Sequence, residues 1–540
     1  MLVSKRTKET LALLNFPKNI SPRRWSLVPI LAWIVAIYIP ALSIYLRGDD
    51  FVDINYSIAD SFSAVFNKTF LFFRPTADLI LFLNYSISGT EELGYNLTTI
   101  ILHLLNVTLI WGLIYQVTHK TTAAGITALL FGTSPLFIEV TLWPILRNDS
   151  ILLAFFLAIL MVLSKEPQSI PTTGHHDHRG HYGIATHLFV ALMTIGALGT
   201  KENWLILPPL ALLFVVLVLK SPLKQAVSVT LPGLILMPIY VLIFFILPRL
   251  SGTATALDYS SLDGGGFQAV LAKLAFLLFH FCGMGGNFSG EPWQIGLALG
   301  GLALFVALSL ILRDRLALFG ASFMLLSILP TIHIHSCNSR FNYLPVAAFW
   351  IAVISLGDSL LQTLGERTGF NTRLSHGLVA VTVVCLTLFQ SMTVQREISD
   401  YSLFGEFHRQ IVEMYELVKP EIPLHEPFVF ANFGTRNGAV EFQQAAQGIY
   451  KIINPKPGGI WEIIDFGDLA DFAGDPFTHR IERLADTDLK QLFSGRPKVV
   501  VFRDQGFSFT HQFDAAIREY FRTHGSLPPG FQAYKFVPLE

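Results

Sequence analysis

Apolar runs of about twenty residues recur along this chain. A run of that length with almost no charge matches the ~30 Å of hydrocarbon that a helix must cross. About eleven such segments are read from hydropathy: 25–46, 94–117, 122–138, 150–164, 184–199, 203–220, 226–247, 294–312, 317–333, 342–357 and 375–394. Hydrophobic residues make up 52% of the chain and charged residues 14%, against about 25% charge in a soluble domain. The expected fold class is therefore an α-helical polytopic membrane protein. A net charge of −1 gives no bulk attraction to nucleic acid.

Orientation follows from the basic residues. Lys5, Arg6, Lys8, Lys18, Arg23 and Arg24 precede the first run, against one acid, Glu9. The positive-inside rule puts this end in the cytoplasm. Trp25 to Leu46 is too long for a signal-peptide core and lacks a small-residue cleavage site, so it reads as a retained helix. The apolar segment 267–290 ends in Gly283-Met284-Gly285-Gly286. Counting it as a full crossing would put Arg313 and Arg315 outside, so it reads as re-entrant or interfacial. Cys282, Cys337 and Cys385 are far apart, with no metal-binding or disulfide spacing.

The long outer loop, about 47–93, holds apolar stretches broken by Arg74-Pro75, as short helices lying in the interface would. After residue 394 charges become frequent and strand–helix alternation appears. Strands are expected at Phe428–Phe433, Lys498–Phe502 and Gln532–Val537, and helices at Val440–Ile453 and Gln512–Tyr520. The division expected is a membrane domain over 1–394 and a small outer α/β domain over 395–540.

Charge near a bilayer is costly and marks functional candidates. Asp49 and Asp50 follow the first run on the outer side: a general base, or an ordinary solvated acidic loop. Arg340 opens a span on the same side, as a phosphate ligand or a snorkelling anchor. Tyr343 beside it suits an interfacial aromatic belt. Arg74 is a second anion contact or a solvated turn residue. Glu139, Arg147 and Asp149 close the next outer loop, where Asn148 or Asp149 would cap the following helix. Lys201 and Glu202 form a structural ion pair or a lipid-phosphate ligand with its holder. His103 and Asn106, inside the second span, read as interhelical hydrogen-bonding groups. His333 and His335 precede Arg340 and could line the site. The inner loop His175-His176-Asp177-His178 has a metal-binding composition but reads as a solvated, flexible loop, on the opposite side.

In order, these segments resemble the GT-C glycosyltransferases, which use polyprenyl-phosphate sugar donors. The branch they are most similar to is the protein O-mannosyltransferase-related group that includes the TPR-containing transmembrane mannosyltransferases. The similar segments are Asp49-Asp50, Phe73-Arg74-Pro75-Thr76 with Leu83-Asn84-Tyr85, and Tyr95-Asn96-Leu97 with His103 and Asn106. Phe131 to Glu139, Trp143 to Asp149, Thr200-Lys201-Glu202 and Arg340 to Pro345 follow. Asn96 and Ser134 stand where that family often has His, Arg147 lacks the usual preceding Gly, and no TPR pattern follows.

The resemblance implies an inverting transfer of sugar from a polyprenyl-phosphate-linked donor to a hydroxyl of a protein, lipid or glycan acceptor at the outer or lumenal face. It implies Asp49 as base with Asp50 as neighbour or substitute. Arg340, Lys201, Arg74 and Tyr343 would be donor-phosphate ligands. Glu139, Arg147, Asp149, Glu202, His103 and His335 would line the site. It assigns no cofactor; a divalent metal stays open because the family divides on it. Two other readings fit many spans with outer-face charges: a flippase for polyprenyl-linked sugars, and an inactive scaffold of the same fold.

Overall fold

The computed structural model describes residues 26–47, 50–51, 54, 73–165, 182–247, 271, 274–276, 278–279, 291–331, 339–368, 372–418, 479–483, 520, 523–526 and 534–538. Among them the chain is almost wholly helical: α1 Leu27–Tyr38, α2 Pro75–Ser88, α3 Glu92–Thr118, α4 Thr121–Gly132, α5 Ile138–Leu142, α6 Asn148–Leu163, α7 Ile184–Leu198, α8 Leu207–Leu217, α9 Leu223–Val241, α10 Pro292–Ile311, α11 Arg315–Ile328, α12 Tyr343–Thr368 and α13 Thr372–Val418.

Each of the eleven expected segments overlaps an apolar helix, but the helices are not equivalent. Six are long and apolar enough to cross a bilayer: 92–118, 144–163, 223–244, 292–311, 343–367 and 374–403. The helical stretches 121–132 and 135–142 together make a seventh only if the 51° bend between them belongs to one span. The breaker is Pro135, with the Ser134 hydroxyl accepting from Leu136 N across the break. The other four are shorter, at 27–43, 184–198, 202–217 and 315–328. Hydropathy does not see this difference, because apolar residues outside a helix still lengthen the run. Of the segment 267–290, the described residues are helical; the rest of that expectation lies outside the described residues.

α3 is the central post. It packs on α1, α4 and α6, and its Val107, Ile110, Leu113 and Ile114 are fully or almost fully buried. α4, α6, α8, α11 and α12 complete the core. α11 and α12 meet almost backbone to backbone. A Cβ on Gly320 would lie 2.8 Å from Ala352 N, the small-residue contact that lets membrane helices approach closely. α9, α10 and α13 instead leave Leu231, Ile235, Leu297, Leu304, Val381 and Phe389 exposed, a surface suited to lipid.

Polar ties stand at both ends of the bundle. At the end where α3 finishes, Lys120 pairs with Asp358, and Asp314 caps α11 through Ala317 N at 2.9 Å while accepting from Ser355 and Ser359. α6 and α12 begin beside the middle of α3, where Ser150 and Tyr343 meet Asn106 and His103. α13 is unbroken through residue 394, where the sequence suggests a domain boundary, and runs on to Val418. Of the expected C-terminal α/β domain, the described residues show one antiparallel pair. β1 (His479–Arg483) lies against β2 (Tyr534–Pro538), with His479 opposite Pro538 and Arg483 opposite Tyr534. β2 overlaps the expected last strand, whereas β1 was not anticipated. The strands expected at 428–433 and 498–502, and the helix at 440–453, lie outside the described residues.

Candidate functional site

The site is built from helix beginnings. Arg74 precedes Pro75, the first residue of α2, so the proline opens a helix instead of only breaking one. Arg147 and Lys201 occupy the same position before α6 and before the 3-10 turn Glu202–Ile206 that leads into α8. None of the three starts has a side-chain cap. Acids are normally favoured at helix N-termini and cations at C-termini. Three cations at three converging N-termini therefore concentrate positive potential at one end of the bundle.

Acids from neighbouring elements offset part of it. Lys201 Nζ donates to Asp149 Oδ2 at 2.6 Å, with the two side chains 13% and 2% exposed. Arg74 donates to both carboxylate oxygens of Glu202, at 3.0 and 3.3 Å. The adjacent pair Lys201-Glu202 is thus not an ion pair with itself: each residue reaches a different helix. Nor does Asp149 cap α6, because its carboxylate is turned to Lys201.

Asp50 is fully buried. Its Oδ2 accepts from Arg47 N at 3.1 Å and its Oδ1 from Ile145 N at 3.0 Å. It lies within electrostatic reach of the buried Arg147 guanidinium. These bonds join Asp50 to the end of the segment after α1 and to the turn before α6. Asp49 and His335 lie outside the described residues.

Arg340 stands apart. Its backbone N–H donates to Glu139 Oε2 at 3.2 Å, and Glu139 N donates to Ser339 Oγ at 3.3 Å. Its guanidinium lies 5.3 Å from the Phe341 ring centre, with Lys201 Nζ 5.1 Å from the same ring. Among the described residues the guanidinium has no carboxylate partner, and its buried Nε has no hydrogen-bond acceptor.

Tyr343 and His103 form a separate buried knot one turn further in. His103 Nε2 is 3.0 Å from the Gly132 carbonyl and Nδ1 is 2.9 Å from the Tyr343 hydroxyl. A carbonyl only accepts, so Nε2 carries the proton. In the neutral ring favoured away from water, Nδ1 then accepts from Tyr343. The tyrosine oxygen in turn accepts from Asn106 Nδ2 at 3.2 Å, and Asn106 also donates to the Ser150 carbonyl at 2.8 Å. Tyr343 is fully buried; its hydroxyl joins α12 to α3 and α6, and the expected interhelical role of His103 and Asn106 is the geometry found.

Arg47 was not anticipated. Its guanidinium, 4% exposed, lies between two aromatic faces, 4.0 Å from the centre of Trp143 and 3.9 Å from that of Tyr401. A lone Arg ending an apolar run beside two acids was the available signal. Among the described residues no group of three or more His, Cys, Asp or Glu could hold a metal ion.

No family model and no curated protein matches the chain. Solved structures do. The oligosaccharyltransferase of Archaeoglobus fulgidus in its apo form is 14% identical with a TM-score of 0.41, the match covering 74% of this chain and 59% of that one. ArnT from Cupriavidus metallidurans bound to undecaprenyl phosphate is 14% identical with a TM-score of 0.36, covering 87% and 95%. The chain thus spans less than two thirds of the oligosaccharyltransferase's length.

Proposed function

We propose that this protein is a membrane glycosyltransferase of the GT-C type, moving a sugar from a polyprenyl-phosphate-linked donor to an acceptor hydroxyl at the outer face. The observation that carries this reading is the Arg340 guanidinium. It has no carboxylate partner among the described residues and, like Lys201, lies near the Phe341 ring, at the end where cation-led helices converge. A half-buried guanidinium with no carboxylate beside it is placed to take an anion, and its planar fork suits a phosphate.

In this reading the donor's phosphate lies against Arg340, with Lys201 and Arg74 adding positive potential. The acceptor oxygen attacks C1 of the sugar as a carboxylate takes its proton. The C1–O bond to phosphate breaks, and polyprenyl phosphate leaves with the electron pair, inverting C1. Fixed cations stabilise the charge growing on the leaving oxygen. We assign the base to Asp49. Both Asp50 oxygens already accept backbone N–H groups, so Asp50 holds the loop and Asp49 is its reactive neighbour. The N-terminus is cytoplasmic and the site extracytoplasmic in this scheme, with a mannosyltransferase-like branch as the finer assignment.

The test is turnover of a polyprenyl-phosphate sugar by purified protein in lipid nanodiscs, with released polyprenyl phosphate and glycosylated acceptor measured by mass spectrometry. Asp49→Asn is expected to lower turnover by roughly 10²–10⁴-fold. Donor carried across a membrane but never consumed would replace the transferase with a flippase; near-normal turnover of the variant would remove Asp49 from the chemistry.

A further inference from the structure

α13 is held in an unusual way. Its Leu378, Val381, Val384 and Phe389 are exposed, so burial alone gives it little purchase on the bundle. Polar hooks supply the rest. Trp33 Nε1 donates to Ser391 Oγ at 3.2 Å, Thr133 Oγ1 to Gln390 Oε1 at 2.7 Å, and Gln395 Nε2 to the Ile37 carbonyl.

Beyond those hooks the helix lies directly on the chain that leads to the acid pair. A Cβ on Gly405 would stand 2.7 Å from Tyr45 N and 3.1 Å from Tyr45 O, so only glycine allows this approach. Arg409 donates to Glu92 at 2.8 Å and to the Ser43 carbonyl at 3.4 Å, with its guanidinium 5.2 Å from the Tyr45 ring. Tyr401 closes the Arg47 sandwich against Trp143. Arg47 and Asp50 therefore both join the outer loop to the 143–145 turn, one through an aromatic stack and the other through a carboxylate.

We infer that the Tyr401–Arg409 stretch of α13 is a positioning strap for the acid-bearing loop, with the Arg47 guanidinium as its joint. The inference rests on the transferase reading for its effect on rate, but its geometry does not depend on that reading. A base must come within hydrogen-bond reach of the proton it removes, and a displacement of about 1 Å can cost roughly 10²-fold. Tyr401 touches neither donor nor acceptor in this scheme. It sets where Arg47 and Asp50 stand.

The test compares Tyr401→Leu, which removes the aromatic plate, with Tyr401→Phe, which keeps it, in full-length protein. Three readouts are needed: kcat and donor KM for sugar transfer, binding of polyprenyl phosphate, and amide hydrogen exchange over residues 44–50. Tyr401→Leu is expected to lower kcat about tenfold or more, to leave donor KM and polyprenyl-phosphate binding within about twofold, and to speed exchange over 44–50. Tyr401→Phe should return kcat and the exchange over 44–50 to the wild-type values. Should Tyr401→Leu not fold, Arg409→Gln takes its place, with the same faster exchange expected. Unchanged exchange over 44–50 in the folded variant overturns the strap. Faster exchange in a protein that never consumes donor supports the strap and removes the transferase reading instead.

Discussion

Arg340 and Lys201 both lie near one phenylalanine ring, that of Phe341, yet removing their charges should have different consequences. The Arg340 guanidinium holds no carboxylate among the described residues, so Arg340→Ala gives up only its stack on Phe341, about 0.5–1 kcal/mol. Its loss to ligand binding should be larger. A hydrogen bond to a charged group contributes about 1.5–3 kcal/mol, and at ~1.4 kcal/mol per tenfold one such bond corresponds to roughly 10- to 100-fold in affinity. Arg340→Ala is therefore expected to weaken polyprenyl-phosphate binding by about that factor while leaving the apparent melting temperature in detergent nearly unchanged. Arg340→Lys, a point charge without the fork, should fall between. The assay is direct binding of polyprenyl phosphate to protein in nanodiscs, paired with thermal unfolding at one scan rate. Affinity within twofold of wild type in Arg340→Ala would show that the guanidinium is an interfacial anchor.

Two further perturbations separate packing from chemistry. Lys201→Met should destabilise by roughly 3–5 kcal/mol, because it strands a carboxylate only 2% exposed; adding Asp149→Leu should recover most of that loss, and a double variant no more stable than Lys201→Met would refute the pairing as the cause. Tyr343→Phe leaves His103 Nδ1 buried without its donor, at a cost of about 1–3 kcal/mol, read as a lower apparent melting temperature; an unchanged value would mean that the knot contributes nothing to holding α12.

Much of the architecture was legible because it depends on composition along short stretches. A run such as 94–117 is helical and apolar whatever surrounds it, since bilayer hydrocarbon leaves backbone groups no other partners. The approximate level of the polar residues was legible as well, because charge between apolar runs must sit near their ends. Partners were not. The adjacency of Lys201 and Glu202 suggests that they pair, but consecutive residues at a helix start point in different directions, and each finds an acid or base from another helix. Tyr343 resembles a donor ligand in sequence; in three dimensions its hydroxyl is enclosed by His103 and Asn106. Arg47 escaped notice because more than 350 residues separate it from Tyr401 and Arg409 on α13, and a boundary at 394 separated them on paper while α13 runs through it.

The sequence by itself determined that this is a chain of apolar helices with its unusual charges collected between them, because the cost of placing charge in hydrocarbon acts on each residue locally. Only the tertiary structure decided which charges neutralise one another, and that the Arg340 guanidinium has no carboxylate partner among the described residues. That outcome turns on a few ångströms between side chains from different helices, and Coulomb energy in a poorly screened interior depends on that separation and not on distance along the chain.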